Sequence, residues 1–162
     1  MARVAEAGTI VALDPARTLE LWADLDRWPA FIEGFARIVE RTGEWPLEGS
    51  AVLWESIPDG RGRVRERVTA HAAPGARGSG SPGSGLLVTA VEDDTLAGTQ
   101  TVAFHPIEGG TRVELDLSYE LTQAGPLGAV TDFVFIRRAL RDALRRTLLH
   151  FAAEAEQEPG AA

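Results

Sequence analysis

Residues 110–121, GTRVELDLSYEL, alternate without a break: Val113, Leu115, Leu117, Tyr119 and Leu121 fall on one side, and Arg112, Glu114, Asp116, Ser118 and Glu120 on the other. Period two with a single apolar side is the pattern of a half-buried strand. After the turn signal Gly125-Pro126 comes the stretch 126–156, PLGAVTDFVFIRRALRDALRRTLLHFAAEAE. At about 100° per residue, Val130, Phe133, Ile136, Leu140, Leu144, Leu148 and Phe151 gather into one stripe, with Arg138, Asp142 and Arg146 behind it. A long one-sided helix laid on a large one-sided sheet points to an interior ligand cavity. Small apolar residues outnumber bulky ones on the covering elements, which favours such a cavity.

Upstream, residues 4–13 read as a first strand ending at Asp14-Pro15, an N-cap followed by a proline suited to the first helical turn. A helix follows with Thr18, Leu19, Leu21, Trp22 and Leu25 on its apolar face, and Pro29 interrupts it before a second short helix through Phe31, Ile32 and Phe35. Strand-like runs then occupy about 36–42, 50–58, 62–72, 85–93, 97–106 and 110–122, separated by Gly43, Pro58-Asp59-Gly60, the 73–85 stretch, Asp93-Asp94 and Gly109-Gly110. The expected architecture is α+β: one strand, two short helices, six strands in an antiparallel meander, and a long C-terminal helix covering the sheet.

The chain of 162 residues is 44% hydrophobic, which suits one domain over residues 1–158, with 159–162 as a disordered tail. It has no cysteine, so disulfides, thiolate metal sites and a cysteine nucleophile are excluded, and an intracellular location is expected. The start, MARVAEAGTIVALDP, has no basic segment followed by an apolar core, and no stretch approaches a membrane span. A cytoplasmic protein without membrane insertion is the reading. The net charge of −8 disfavours general nucleic-acid binding. All 16 basic residues are arginine.

The segments DPARTLELWADLDRWPAFIEGF, GTQTVAFHPIEGGTRVELDLSYEL and GPLGAVTDFVFIRRALRDALRRTLLHFAAEAE resemble the START-like helix-grip (SRPBCC) superfamily, in particular its polyketide cyclase/dehydrase-like branch, over roughly residues 4–157. The local anchors are the Asp-Pro helix start, the Trp-Pro break and the Gly-Gly-Thr strand start. The resemblance implies a curved seven-stranded sheet wrapped around the long helix, with an internal cavity for lipids, polyketides, quinones or other apolar compounds. It implies no single reaction.

GSGSPG at residues 78–83 has the form of a dinucleotide fingerprint, but Pro82 and the strand-like LLVTAVED follow it where a helix would have to open. It reads instead as a mobile hairpin loop over 73–85, with a cavity-edge lid as its functional alternative. His71, His105 and His150 have no metal-binding spacing, and no G-x-S-x-G elbow is present. Neither a metal nor a cofactor is expected.

In RVRERVTAHA, Val64, Glu66, Val68 and Ala70 share one side and Arg63, Arg65, Arg67 and Thr69 the other, so Glu66 falls among apolar residues. A carboxyl there has its pKa raised unless paired, which suits a general acid or base; a structural ion pair is the alternative. Arg137 lies about 40° from Phe133 on the helical wheel and is expected either to face the cavity, pairing with Glu66 or stabilising an enolate, or to extend to the helix edge. Gln100, Val102 and Phe104 share one strand face, and with Trp54, Leu117, Tyr119 and Phe133 they are the expected cavity lining, or equally core packing.

The expected function is binding of a hydrophobic or aromatic small molecule, with acid-base cyclase or dehydratase chemistry on a polyketide-like substrate if the protein is an enzyme. Glu66 would move the proton, and Arg137 or Gln100 would polarise a carbonyl. The alternatives are a non-catalytic lipid or quinone carrier and a protein- or ribosome-binding module. A monomer or a homodimer is equally compatible.

Overall fold

The computed structural model describes residues 2–75, 82–122 and 129–160; side chains of the last stretch are described from residue 134. The Phe133 side chain and residues 76–81 of the loop expected to be mobile lie outside the described residues.

β1 (Arg3–Val11) leads into α1 (Pro15–Ala23) and α2 (Trp28–Phe31), followed by β2 (Phe35–Thr42), β3 (Ala51–Ser56), β4 (Arg63–Ala72), β5 (Gly85–Glu92), β6 (Leu96–Ile107), β7 (Gly110–Leu121) and α3 (Ala129–Glu156). The seven strands form one sheet in the order β1-β7-β6-β5-β4-β3-β2, antiparallel throughout. Strands β2 to β7 form a meander in which consecutive strands pair, and β1, separated from β2 by α1 and α2, pairs with β7 at the opposite edge. Register shifts in β2 and at Val68/Ala70 in β4 interrupt the ladder, the kind of irregularity that bends and twists a sheet.

Local chemistry sets the helix boundaries. The Asp14 carboxylate accepts the Arg17 backbone N–H at 3.0 Å, capping α1. Pro29 opens α2 and does not break a longer helix, because the first turn needs no donor from it. The second short helix therefore ends at Phe31; Ile32 is its extended C-cap, and Phe35 already belongs to β2.

α3 packs on β1 and α2 through Leu144, Leu148, Phe151 and Ala155, all buried. Thr147 accepts the Glu33 backbone N–H at 3.0 Å. At the C-terminal end Arg27 bonds Glu154 at 2.8 Å and Glu158 at 2.7 Å, fastening the start of α2 to the end of α3. On the sheet, Val113, Leu115, Leu117 and Tyr119 all face inward, each at most 1% exposed. Bulky rings concentrate at one end of this interior: Phe151 stands edge-on to Trp22 and Phe31 at centroid distances of 5.1 and 5.0 Å.

Candidate functional site

Glu66 sits mid-strand in β4 between Val64 and Val68, which are 0% and 1% exposed, and is itself only 5% exposed. Each carboxyl oxygen has one donor. The Trp54 indole N–H of β3 donates to Oε1 at 3.0 Å, and the Thr89 hydroxyl of β5 donates to Oε2 at 3.3 Å. The register explains both contacts: Val52 pairs with Glu66 and Val68 with Thr89, so Trp54 and Thr89 are diagonal neighbours on the same inner face. Burial pushes the Glu66 pKa above its ordinary value; the two hydrogen bonds and the nearby Arg61 charge oppose the shift without cancelling it.

Arg61 lies in the turn between β3 and β4. Gly62 takes a positive φ of 75° there, and its N–H is held by the Ser56 hydroxyl at 2.9 Å. Arg61 Nε donates to Asp93 Oδ2 at 2.7 Å, while Asp93 Oδ1 accepts the backbone N–H groups of Thr95 and Leu96 at 2.8 and 2.9 Å. Asp93, whose side chain is 1% exposed, thus fixes both the β5–β6 turn and the guanidinium. Arg61 Nη2 is buried and has no hydrogen-bond partner among the described residues.

Glu66 and Arg61 border one cavity of about 50 Å³ between the sheet and α3, whose walls include Trp22, Trp54, Gln100, Leu117 and Leu144. That space has room for a few waters and is smaller than the roughly 150 Å³ that accommodates a benzene ring. The small-residue count suggested a larger void. It is reduced because Trp22, Trp54 and Leu115, all at most 2% exposed, project into the same layer.

Of the residues expected from sequence, Trp54, Glu66, Gln100 and Leu117 come together around this cavity. Val102 and Phe104 are core residues at 1% and 0% exposure, outside its lining. Tyr119 is buried farther along β7, its hydroxyl without a partner among the described residues. Burial holds that phenol above its ordinary pKa, with Arg3 and Arg137 opposing the shift. Arg137 is exposed on α3 and absent from the cavity wall, because the inward stripe there runs through the partly buried Ile136 and Leu140 and the buried Leu144. The guanidinium beside Glu66 is that of Arg61, which sequence reasoning missed; so too was Thr89, although its alternation with the buried Leu87 and Val91 marked it as inward-facing. Among the described residues no group of acidic or histidine side chains is arranged to hold a metal.

The family model described as polyketide cyclase / dehydrase and lipid transport matches residues 1–156. The chain belongs to this family. No match is found among curated proteins. Solved structures with the same fold include the Zhui aromatase/cyclase from Streptomyces sp. R1128, 14% identical with a TM-score of 0.73, covering 97% of this chain and 95% of that one. A START superfamily protein from Mycobacterium smegmatis is 12% identical with a TM-score of 0.66, covering 95% and 97%. Norcoclaurine synthase from Thalictrum flavum, in complex with dopamine and hydroxybenzaldehyde, is 13% identical with a TM-score of 0.64, covering 98% and 90%. At these identities the likeness establishes the helix-grip fold alone. Family membership and the enclosed α3–sheet interior make this member a ligand-binding fold, and no helix among the described residues is long and apolar enough to cross a membrane.

Proposed function

We propose that this protein binds an aromatic or polyketide-like carbonyl compound between α3 and the sheet, and that Glu66 transfers a proton on it. The observation that carries the reading is a buried carboxyl with a raised pKa facing the same small cavity as a buried, unsatisfied guanidinium N–H.

In the proposed step the Glu66 carboxylate removes a proton from the carbon next to a substrate carbonyl. The electron pair moves onto the carbonyl oxygen, and Arg61 Nη2 donates a hydrogen bond to the developing enolate. As the enolate collapses back to the carbonyl, its electron pair forms a carbon–carbon double bond to the next carbon, and the protonated Glu66 gives its proton to the hydroxyl that leaves that carbon as water. Trp54 and Thr89 hold the carboxyl in place through both half-steps. The aromatase/cyclase and norcoclaurine synthase neighbours support aromatic carbonyl compounds as the substrate class. Because the cavity is smaller than one ring, binding is coupled to widening of the gap between α3 and the sheet.

Native mass spectrometry of freshly purified protein, followed by titration with hydroxybenzaldehyde and larger aromatic hydroxyketones, tests the reading. Binding that is weakened in folded Glu66→Gln and Arg61→Gln variants supports it. A co-purified lipid or quinone whose binding neither substitution changes would establish the carrier alternative instead.

A further inference from the structure

The solvent side of α3 has an organisation that the interior site does not explain. Val134, Arg138, Arg141, Arg145 and Leu149 recur at i, i+4, i+7, i+11 and i+15, a straight exposed stripe about 22 Å long. Val134 is 59% exposed, Leu149 67%, and Phe135 beside the stripe 68%. Three of the described chain's large exposed apolar residues thus lie among guanidinium groups.

The α3 arginines are weakly paired, as are the exposed Arg63, Arg65 and Arg67 of β4 among the described residues, and what distinguishes α3 is the exposed apolar residues set among them. Arg17, Arg27, Arg37, Arg41, Arg61, Arg112 and Arg146 are each within 4.0 Å of a carboxylate. Arg141 and Arg145 make no ion pair among the described residues, and Arg138 reaches Asp142 only at 3.9 Å while staying 77% exposed. Arg145 also borders a surface groove with Glu6, Glu114 and Asp116, so the cationic character is strongest toward Arg138 and Arg141. In a protein of net charge −8, a local cationic and apolar helix face is a departure from the overall balance.

We infer that this face of α3 docks on an anionic lipid surface, with the guanidinium groups on headgroup phosphates and Val134, Phe135 and Leu149 at the acyl boundary. Charge complementarity selects an anionic surface. The shape favours lipid over an acidic protein: the stripe is the convex side of a helix, and the groove beside it at Arg145 is lined by Glu6, Glu114 and Asp116, which repel an acidic partner. Docking would also place the cavity next to the membrane, since Leu140, Ala143, Leu144 and Thr147 on the opposite side of the same helix form part of its wall. The inference concerns a surface separate from Glu66 and stands whether or not the interior is catalytic.

The test is co-sedimentation of the full chain at low salt with vesicles of phosphatidylcholine alone and of equal parts phosphatidylcholine and phosphatidylserine. The expected result is binding to the mixed vesicles only. The triple variant Arg138→Gln/Arg141→Gln/Arg145→Gln should lose affinity by on the order of a hundredfold, and Phe135→Ser should weaken it separately. A control removes the same charge from the exposed stripe of β4, Arg63→Gln/Arg65→Gln/Arg67→Gln, and should bind as wild type does. All three sets of substitutions are at exposed positions, and unchanged circular dichroism verifies their folding. No binding to the mixed vesicles, equal binding to neutral ones, an equal loss in the β4 control, or capture of an acidic protein by this face without vesicle binding overturns the assignment.

Discussion

The Trp54 indole N–H points across the β3–β4 pair at the Glu66 carboxyl, 3.0 Å away and one diagonal off the register pairs Val52–Glu66 and Trp54–Val64. A large aromatic and a carboxyl thereby fix one another inside the protein. Neither can be changed without altering the environment of the other.

Removing the donor, together with part of the ring system, exposes this dependence. Trp54→Phe keeps most of the ring but leaves a buried acceptor unsatisfied, at a cost of about 1–3 kcal/mol. Urea unfolding measures the loss, and Glu66→Gln in the same background should recover part of it. A Trp54→Phe variant as stable as wild type would mean that the bond contributes nothing.

Stability should depend on pH through Glu66. Its native pKa is raised above the ordinary 4.5, so the folded state holds the proton more tightly than the unfolded chain does. The stabilisation from this group is complete below the ordinary value of 4.5 and is lost as pH rises through the native value. The loss is at most about 1.4 kcal/mol per pH unit. Glu66→Gln does not titrate. The difference in melting temperature should therefore move in favour of the variant as pH increases across that window, and a constant difference contradicts the assignment.

Arg61 and Arg137 make opposite predictions in double-mutant cycles with Glu66→Gln. Arg61→Leu should couple to it by about 0.5–3 kcal/mol, whereas exposed Arg137→Leu should be additive within about 0.5 kcal/mol. Asp93→Ala should remove the anchor of Arg61 and cost about 1.5–3 kcal/mol, as expected for hydrogen bonds to charged groups. Measurable coupling at Arg137 with none at Arg61 would reverse the roles given to the two guanidinium groups.

Which parts were legible follows from periodicity. β7 alternates along its length and β4 alternates from Arg63 to Thr69, so the inward direction of Leu117 and of Glu66 could be read residue by residue. α3 could be read as one long helix from its apolar stripe. Arg61 lies in a turn, where no period assigns a side, and its partner Asp93 is distant in sequence. Periodicity leaves Arg137 open between the cavity and the helix edge because it stands at the margin of the stripe, where a small rotation of the helix decides, and the structure puts it on the exposed side. The size of the cavity was not legible either: composition counts small residues, but packing depends on where Trp22, Trp54 and Leu115 project. Pro29 was read as a helix breaker, although at the start of α2 a proline is compatible with helix.

The central claim is that Glu66 is a buried proton-transfer group within a binding site, and the Trp54 indole reports on it directly. The ¹⁵N–¹H shift of that indole, followed against pH with and without hydroxybenzaldehyde, should titrate with a midpoint above 4.5. Addition of the aldehyde should displace the midpoint, and the titration should vanish in Glu66→Gln. A midpoint at the ordinary carboxylate value, or one that the bound aldehyde leaves unmoved, would contradict the account.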